Sequence, residues 1–259
     1  MGIAVVIPAF NEATTIVEVA EGALRHARRV IVVDDGSRDG TAAALAQLPV
    51  TLIRNAANLG KAASLARGFA AALEQSVDAV VTLDGDGQHR PADIPRLIDA
   101  AAEHPGDIII ATRLEGRERM PRLRRFGNRQ ADFWIAWAAG YPIRDTQCGF
   151  RLYPAALLEG LAVRGGRHNS FVFESEVLIE AARAGCHARC VSIDTIYGRS
   201  PRASHYRAAA DTTRIVLMVA GHLLRSGLNP LGFLRSLGVL SHPAFARDSA
   251  GAKSTDALG

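Results

Sequence analysis

Asp84 and Asp86, separated by one residue, follow the apolar run Ala79–Leu83 and are interleaved with Gly85 and Gly87. Two carboxylates so close repel unless protons or a cation intervene. Hard oxygen donors suit Mg²⁺ or Mn²⁺, which take one or two protein carboxylates and complete their shell with water and phosphate oxygens. Gln88 adds a neutral amide oxygen, so Asp84, Asp86 and Gln88 are the candidate metal ligands. The plainer alternative is an Asp-Gly turn with solvated carboxylates. An EF-hand is excluded, because His89 and Pro95 occupy the sixth and twelfth loop positions. A second group, Asp34, Asp35, Gly36 and Ser37, closes the run Val30–Val33. One carboxylate there can accept hydrogen bonds from a nucleobase or ribose, with glycine admitting the ligand, or it can form an Asx-type turn before the next helix. The chain has no G-x-G-x-x-G after its first strand and no G-x-x-x-x-G-K-[ST]. That argues against a dinucleotide cofactor and against a P-loop.

These residues need elements to hold them. Short apolar runs at Ile3–Ile7, Val30–Val33, Val50–Ile53, Ala79–Leu83 and Asp107–Ala111 alternate with helical patterns at Glu12–Arg28, Thr41–Leu48, Lys61–Gln75 and Ala92–His104. Runs without polar alternation suit strands buried on both faces, so the rhythm predicts an α/β, doubly wound, mostly parallel sheet. Ligands of such sheets bind beyond the carboxyl ends of the strands. Those ends read Pro8–Glu12, Asp34–Gly40, Asn55–Lys61 and Asp84–His89, so the polar residues of the first hundred gather on one edge. Beyond Ala111 the rhythm breaks. An arginine-rich loop leads to a helix at about Leu123–Ala139, then a loop at 141–153, a helix at Phe173–Ala184 and a strand at Ala188–Ile193. A last helix is expected from about Ser204 to Arg225, with Arg207, Asp211, Arg214 and Arg225 on one stripe opposite an apolar surface. Residues 241–259 read as a disordered tail.

The 259 residues, 48% hydrophobic and 22% charged, exclude a chain that is mainly disordered. Residues 1–100 carry 9 basic against 12 acidic side chains, and residues 101–259 carry 21 against 14. One half can hold a cation and the other anionic groups. Segment 113–129 alone has seven arginines and two glutamates; a solvated arginine-rich face is the bland alternative. Cys148, Cys186 and Cys190 have no metal spacing and read as reduced cytosolic thiols. No signal peptide is visible, and the run Ile215–Leu224 is half of the ~20 apolar residues that spanning requires.

The motifs together resemble glycosyltransferase family 2: Val6–Glu12, Val32–Thr41, Asn58–Lys61, Asp84–His89 and Thr146–Arg151, in order over roughly residues 3–206. The polyprenyl- or dolichyl-phosphate mannosyl- and glucosyltransferases are the branch they resemble most. The resemblance implies a GT-A (Rossmann-like) fold, a nucleotide-diphosphate sugar donor, a divalent metal and inversion at the anomeric carbon. It implies that Pro8, Phe10, Glu12, Val33 and Asp35 hold the nucleoside, and that Asp84, Asp86 and Gln88 stand at the metal and diphosphate. Arg113 and Arg124 would face the donor and acceptor phosphates, and Arg199 matches a late arginine of the family. His205 stands where many relatives have Lys, and Phe10 where many have Tyr. Many relatives continue into membrane-spanning helices, and this chain does not.

Breaking a sugar–phosphate bond develops negative charge on the leaving diphosphate, which a cation offsets. A phosphate-monoester acceptor is already anionic and needs positioning by arginines rather than a base. A hydroxyl acceptor would need a base, and Asp145 is the only carboxylate of the 141–153 loop; a turn residue or partner of Arg144 is its other reading. The expected arrangement is a catalytic domain at 1–203, a C-terminal helical segment at a membrane interface at 204–240, and a tail at 241–259. The expected partners are the nucleotide sugar, a lipid-phosphate acceptor and a membrane surface, with no nucleic acid. The expected location is cytoplasmic, peripheral on the inner face of the cytoplasmic membrane. A hydroxyl acceptor on a lipid or glycan is the competing reading; a non-catalytic module or a nucleotidyltransferase is the more distant one.

Overall fold

The computed structural model describes residues 1–112, 122–161, 170–193, 208–225 and 227–242. A seven-stranded sheet has the order β3-β2-β1-β4-β6-β5-β7. Its strands are β1 (Ile3–Ala9), β2 (Arg29–Asp34), β3 (Thr51–Arg54), β4 (Ala79–Thr82), β5 (Ile108–Thr112), β6 (Arg151–Pro154) and β7 (Ala188–Ser192). Strands β1 to β4 are mutually parallel, β5 pairs in parallel with β7, and β6 is antiparallel to both β4 and β5. The fully apolar runs behave as their lack of alternation requires: β4 and β5 are buried throughout and β1 nearly so.

Helices α1 (Ile16–Leu24), α2 (Thr41–Ala44), α3 (Lys61–Leu73) and α4 (Ile94–Glu103) connect the parallel strands, and a 3-10 turn at Pro91–Asp93 leads into α4. Helix α3 lies directly on the sheet because Gly68 permits it. A Cβ there would stand 2.3 Å from Val6 Cγ1 and 3.3 Å from Val33 Cγ2. Helix α1 starts later than expected because residues 12–15 turn first, with Thr15 N and Ile16 N donating to Glu12 O. The second half adds α5 (Arg122–Ala139), α6 (Ala155–Gly160), α7 (Ser170–Arg183), α8 (Ala208–Arg225) and α9 (Pro230–Ser236). Helices α8 and α9 pack on α5, and α8 also packs on α7. Of the expected tail, only Ser241 and His242 fall within the described residues.

Strand β6 corrects the expected loop over 141–153. Its four residues carry no apolar run long enough to announce a strand, and they begin with an arginine. Arg151 is nevertheless wholly buried. Its guanidinium donates to the carbonyls of Cys148 (2.7 Å), Thr146 (2.7 Å) and Glu174 (2.8 Å) and to Tyr153 Oη (3.2 Å). A buried charge is tolerated when its donors are satisfied, and here it ties the 146–148 loop to α7. Arg151→Met should therefore destabilise the protein by about 3 kcal/mol or more, since three buried carbonyls lose their donor. Urea unfolding measures this, and a variant within about 0.5 kcal/mol of the parent would show that the arginine is dispensable.

Candidate active site at the carboxyl edge of the sheet

Side chains stitch the loops after β1, β2 and β4 into one surface. Ser37 Oγ accepts from Asn11 N (2.9 Å), Asn11 Oδ1 from Arg38 N (2.9 Å) and Thr41 Oγ1 from Glu12 N (2.8 Å). Asn11 takes a left-handed backbone, φ 57°, which its short polar side chain tolerates. Thr15 Oγ1 donates to Gly85 O (2.7 Å), joining the β1 loop to the aspartate pair after β4. Pro8, Phe10 and Glu12 are half-buried along this surface.

The two carboxylates closing β2 build the floor. Asp34 accepts from Ser37 N (2.9 Å) and Arg54 Nε (3.1 Å). Asp35 is 3% exposed and accepts from Asn55 Nδ2 (2.6 Å), Leu59 N (2.9 Å) and Gly60 N (2.8 Å). Both oxygens of Asp35 thus hold the 55–60 loop, with Oδ2 accepting a single bond and keeping capacity for another donor. Val33 is a wholly buried core residue. Its side chain packs in the sheet, so a nucleoside contact at this position would use the main chain. Beside these residues a cleft of about 510 Å³ is lined by Gly36, Ser37, Arg38, Arg54, Asn55 and Ala56.

The loop that Asp35 anchors delivers Lys61 at the start of α3. Lys61 Nζ lies 2.6 Å from Asp84 Oδ1 and 3.0 Å from Glu174 Oε1. Burial alone would lower the pKa of this ammonium, but the two carboxylates outweigh it and hold the pKa above its ordinary value. Gly149 closes over the pair: a Cβ there would stand 2.6 Å from both Asp84 Oδ2 and Lys61 Nζ. Thr82 Oγ1 fixes it by donating to Gly149 O (2.8 Å). Asp86 is half-buried and accepts from Gln88 N (3.0 Å), while the Gln88 side chain is exposed. His89 is a packing residue, buried edge-on to Phe150 with Nε2 4.0 Å from Cys148 Sγ.

Among the described residues, no group of three or more His, Cys, Asp or Glu is arranged to hold an ion. Mg²⁺ and Mn²⁺ do not need one, since they accept one or two carboxylates and share the rest of their shell with phosphate and water. The residues present fit such an ion. Asp84, Asp86 and Glu174 carry three formal negative charges against the positive charges of Lys61 and of Arg151, which also acts on Glu174, and the remaining negative charge favours a cation.

Asp145 belongs to another neighbourhood. It takes φ 56° and starts a turn closed by Cys148 N donating to Asp145 O (3.0 Å). Asp132 on α5 holds this loop through Asp145 N (3.2 Å), Thr146 N (2.9 Å) and Thr146 Oγ1 (2.8 Å). Burial raises the pKa of Asp132, and the charge of Asp145 adds to that. Arg113 and Arg199 lie outside the described residues; Arg124 lies in the first turn of α5, its side chain outside them. Lys61 was visible in the Asn58–Lys61 motif without a role. Glu174 was not singled out, although a carboxylate among the apolar residues of a buried helix is itself a signal.

The strand order, with polar loops gathered at the carboxyl edge, is that of a GT-A fold. Residues 4–159 match the family described as glycosyl transferase family 2, and the chain belongs to that family. It is 29% identical over 215 residues to UDP-N-acetylglucosamine–dolichyl-phosphate N-acetylglucosaminyltransferase of Methanococcus voltae, covering 74% of this chain and 84% of that one. It is 31% identical over 213 residues to undecaprenyl-phosphate 4-deoxy-4-formamido-L-arabinose transferase of Pseudomonas aeruginosa, covering 76% of this chain and 59% of that one. The fold resembles glucosyl-3-phosphoglycerate synthase of Mycobacterium tuberculosis, crystallised with Mn²⁺, UDP and glucosyl-3-phosphoglycerate. That likeness has a TM-score of 0.64 at 19% identity, over 85% of this chain and 79% of that one.

Gly149→Ala tests the closed geometry. The clashing atoms are ends of flexible side chains, so stability should change by less than about 1 kcal/mol. Displacing the Lys61–Asp84 pair should nevertheless slow sugar transfer by ~10-fold or more. A variant with the parent's rate would show that this close approach is unnecessary.

Proposed function

We propose that the protein is a metal-dependent, inverting hexosyltransferase that moves a sugar from a nucleotide-diphosphate donor to a polyprenyl phosphate at a membrane surface. The observation that carries the reading is the Asp84-x-Asp86 pair, with Asp84 held by Lys61, at the carboxyl edge that also carries the cleft at Gly36–Arg38. Two relatives named for transfer to dolichyl or undecaprenyl phosphate support the acceptor class. Among the described residues no helix is long and apolar enough to cross a membrane, which agrees with peripheral attachment, on the cytoplasmic side in this proposal.

In this scheme the nucleoside enters the cleft at the ends of β2 and β3. The loop held by Asp35 shapes its floor, and Pro8, Phe10 and Glu12 flank it. Asp84, Asp86 and Gln88 would hold Mg²⁺ or Mn²⁺, which supplies charge stabilisation for the departing diphosphate. Lys61 orients Asp84 before the donor arrives. A lipid phosphate needs no proton removed before it attacks, so the chain must orient it. The arginine segment at 113–129, with Arg113 and Arg124, can do so through bidentate contacts, and Arg199 can assist at the donor. The alternative, a hydroxyl acceptor, needs a base. It rests on Asp145, a carboxylate of the loop that Asp132 holds.

Asp86→Ala should cost at least ~10²-fold in rate, and excess chelator should abolish turnover in the parent. Undiminished turnover in chelator would remove the metal from the mechanism. Arg124→Lys and Asp145→Asn separate the acceptors when each is assayed with a polyprenyl phosphate and the matching polyprenol. The proposal expects Arg124→Lys to raise the acceptor KM and slow transfer, and Asp145→Asn to be mild. Preference of the parent for the alcohol, with Asp145→Asn severe, would establish the hydroxyl reading instead.

A further inference from the structure

Lys61 has two carboxylate partners of different kinds. Its Nζ lies 2.6 Å from Asp84 Oδ1 and 3.0 Å from Glu174 Oε1. The Asp84 side chain is 27% exposed and stands at the base of the loop that carries Asp86 and Gln88. The Glu174 side chain is 3% exposed and belongs to the buried side of α7. Glu174 is fixed there. Its carbonyl accepts from Arg151 Nη1 (2.8 Å), and the hydroxyl of the next residue, Ser175, accepts from Gln147 Nε2 (3.3 Å). An ammonium so placed can let go of the outer carboxylate and keep the inner one.

We propose that Lys61 is the resident cation of the site and couples the binding of the metal to that of the donor. Without a nucleotide, Lys61 occupies Asp84, and the site holds Mg²⁺ or Mn²⁺ weakly. When a nucleoside diphosphate arrives with the ion, Lys61 gives up Asp84 and withdraws onto Glu174. The inference rests on the metal-dependent reading of the function and adds an order to it: ion and donor enter as a pair. Lys61 and Glu174 are the positioning residues that enforce this. Three observations carry it.

First, access to Asp84 is taken. Its Oδ1 is held by the ammonium, and its Oδ2 lies beneath Gly149, where a Cβ would stand 2.6 Å away. An ion that enters while Lys61 stays is left with Asp86 and the amide of Gln88. Sharing Asp84 instead would bring the single charge of the ammonium and the double charge of the ion to the same carboxylate, where they repel. Second, the charge count falls short. Asp84, Asp86 and Glu174 are opposed by Lys61 and Arg151, which leaves one negative charge for an ion that carries two positive ones. A diphosphate supplies the remainder, together with the oxygen ligands that Mg²⁺ and Mn²⁺ take from phosphates.

Third, the exchange needs movement of one side chain alone. The backbone that delivers Lys61 is held by Asp35, which accepts from Leu59 N (2.9 Å) and Gly60 N (2.8 Å). The lysine itself is a point charge on a flexible four-carbon stem with rotatable donors. It has only to shift its weight between two oxygens that it already touches. The competing account is a static pair, in which Lys61 stays on Asp84 throughout and serves the shape of the site. The two accounts part over what removal of the ammonium does to the ion.

The test is titration of the full chain with Mn²⁺, followed by the electron paramagnetic resonance signal of the unbound ion, with and without UDP or GDP. The parent should bind Mn²⁺ ~10-fold or more tightly when the nucleotide is present, and by linkage Mn²⁺ should tighten the nucleotide by the same factor. Lys61→Met should bind Mn²⁺ alone ~10-fold or more tightly than the parent does, which shrinks the advantage that the nucleotide confers. Glu174→Gln should change the nucleotide-free affinity little but weaken the nucleotide-bound one by ~10-fold, because Lys61 has nowhere to withdraw. Mn²⁺ alone should also raise the Tm of Lys61→Met more than that of the parent, a readout that reports folding and the ion together. A Lys61→Met chain that folds but binds Mn²⁺ alone no more tightly than the parent would overturn the proposal and favour the static pair. So would variants in which both affinities move by one common factor, the mark of long-range charge without an exchange. A parent that binds Mn²⁺ equally well with and without nucleotide would overturn the coupling and leave the metal in the mechanism. A parent that binds no Mn²⁺ in any of these mixtures would overturn the metal-dependent reading itself, and the inference with it.

Discussion

The half-buried contact of Lys61 with Asp84 and Glu174 is the constraint on which the site depends. It joins the start of α3, the end of β4 and the middle of α7 at one point, with distances of 2.6 and 3.0 Å. Two carboxylates approaching a common point in a poorly hydrated space would repel, and an unpaired ammonium there would be costly. Each group is tolerable because of the others. The arrangement also bears on its surroundings: a side chain at Gly149 would displace the Lys61–Asp84 pair. The 55–60 loop must in turn be held by Asp35 if Lys61 is to arrive.

The same logic recurs one layer deeper. Arg151 gathers three carbonyls, one of them Glu174's own. The helix that supplies the triad's second carboxylate is therefore tied to the strand that follows the closing glycine. Asp86 and the exposed Gln88 hang from this frame on a glycine-bracketed loop.

Much of this was legible in the residues. The apolar runs without alternation placed five strands, and the polar clusters following them gathered on the carboxyl edge where the structure has them. Strand β6 stayed hidden because its leading residue is an arginine, and nothing local shows that its charge is absorbed by carbonyls from other segments. Asp35 was read as facing a ligand, yet its first duty is to three donors 20 to 25 residues away. Glu174 escaped notice because its partner is 113 positions earlier in the chain. Helix α9 escaped because Asn229 and Pro230 look like a stop, whereas Asn229 caps a new helix. Periodicity reports which residues leave water; it does not report which distant groups meet them.

The most direct test of the account is diffraction near the manganese absorption edge from crystals grown with Mn²⁺ and a nucleoside diphosphate. The account predicts an anomalous peak at Asp84 and Asp86, beyond the end of β4, with the base in the cleft lined by Gly36, Ser37 and Arg38. A nucleotide bound in that cleft with no manganese peak at the aspartates, or an ion held elsewhere, would contradict it.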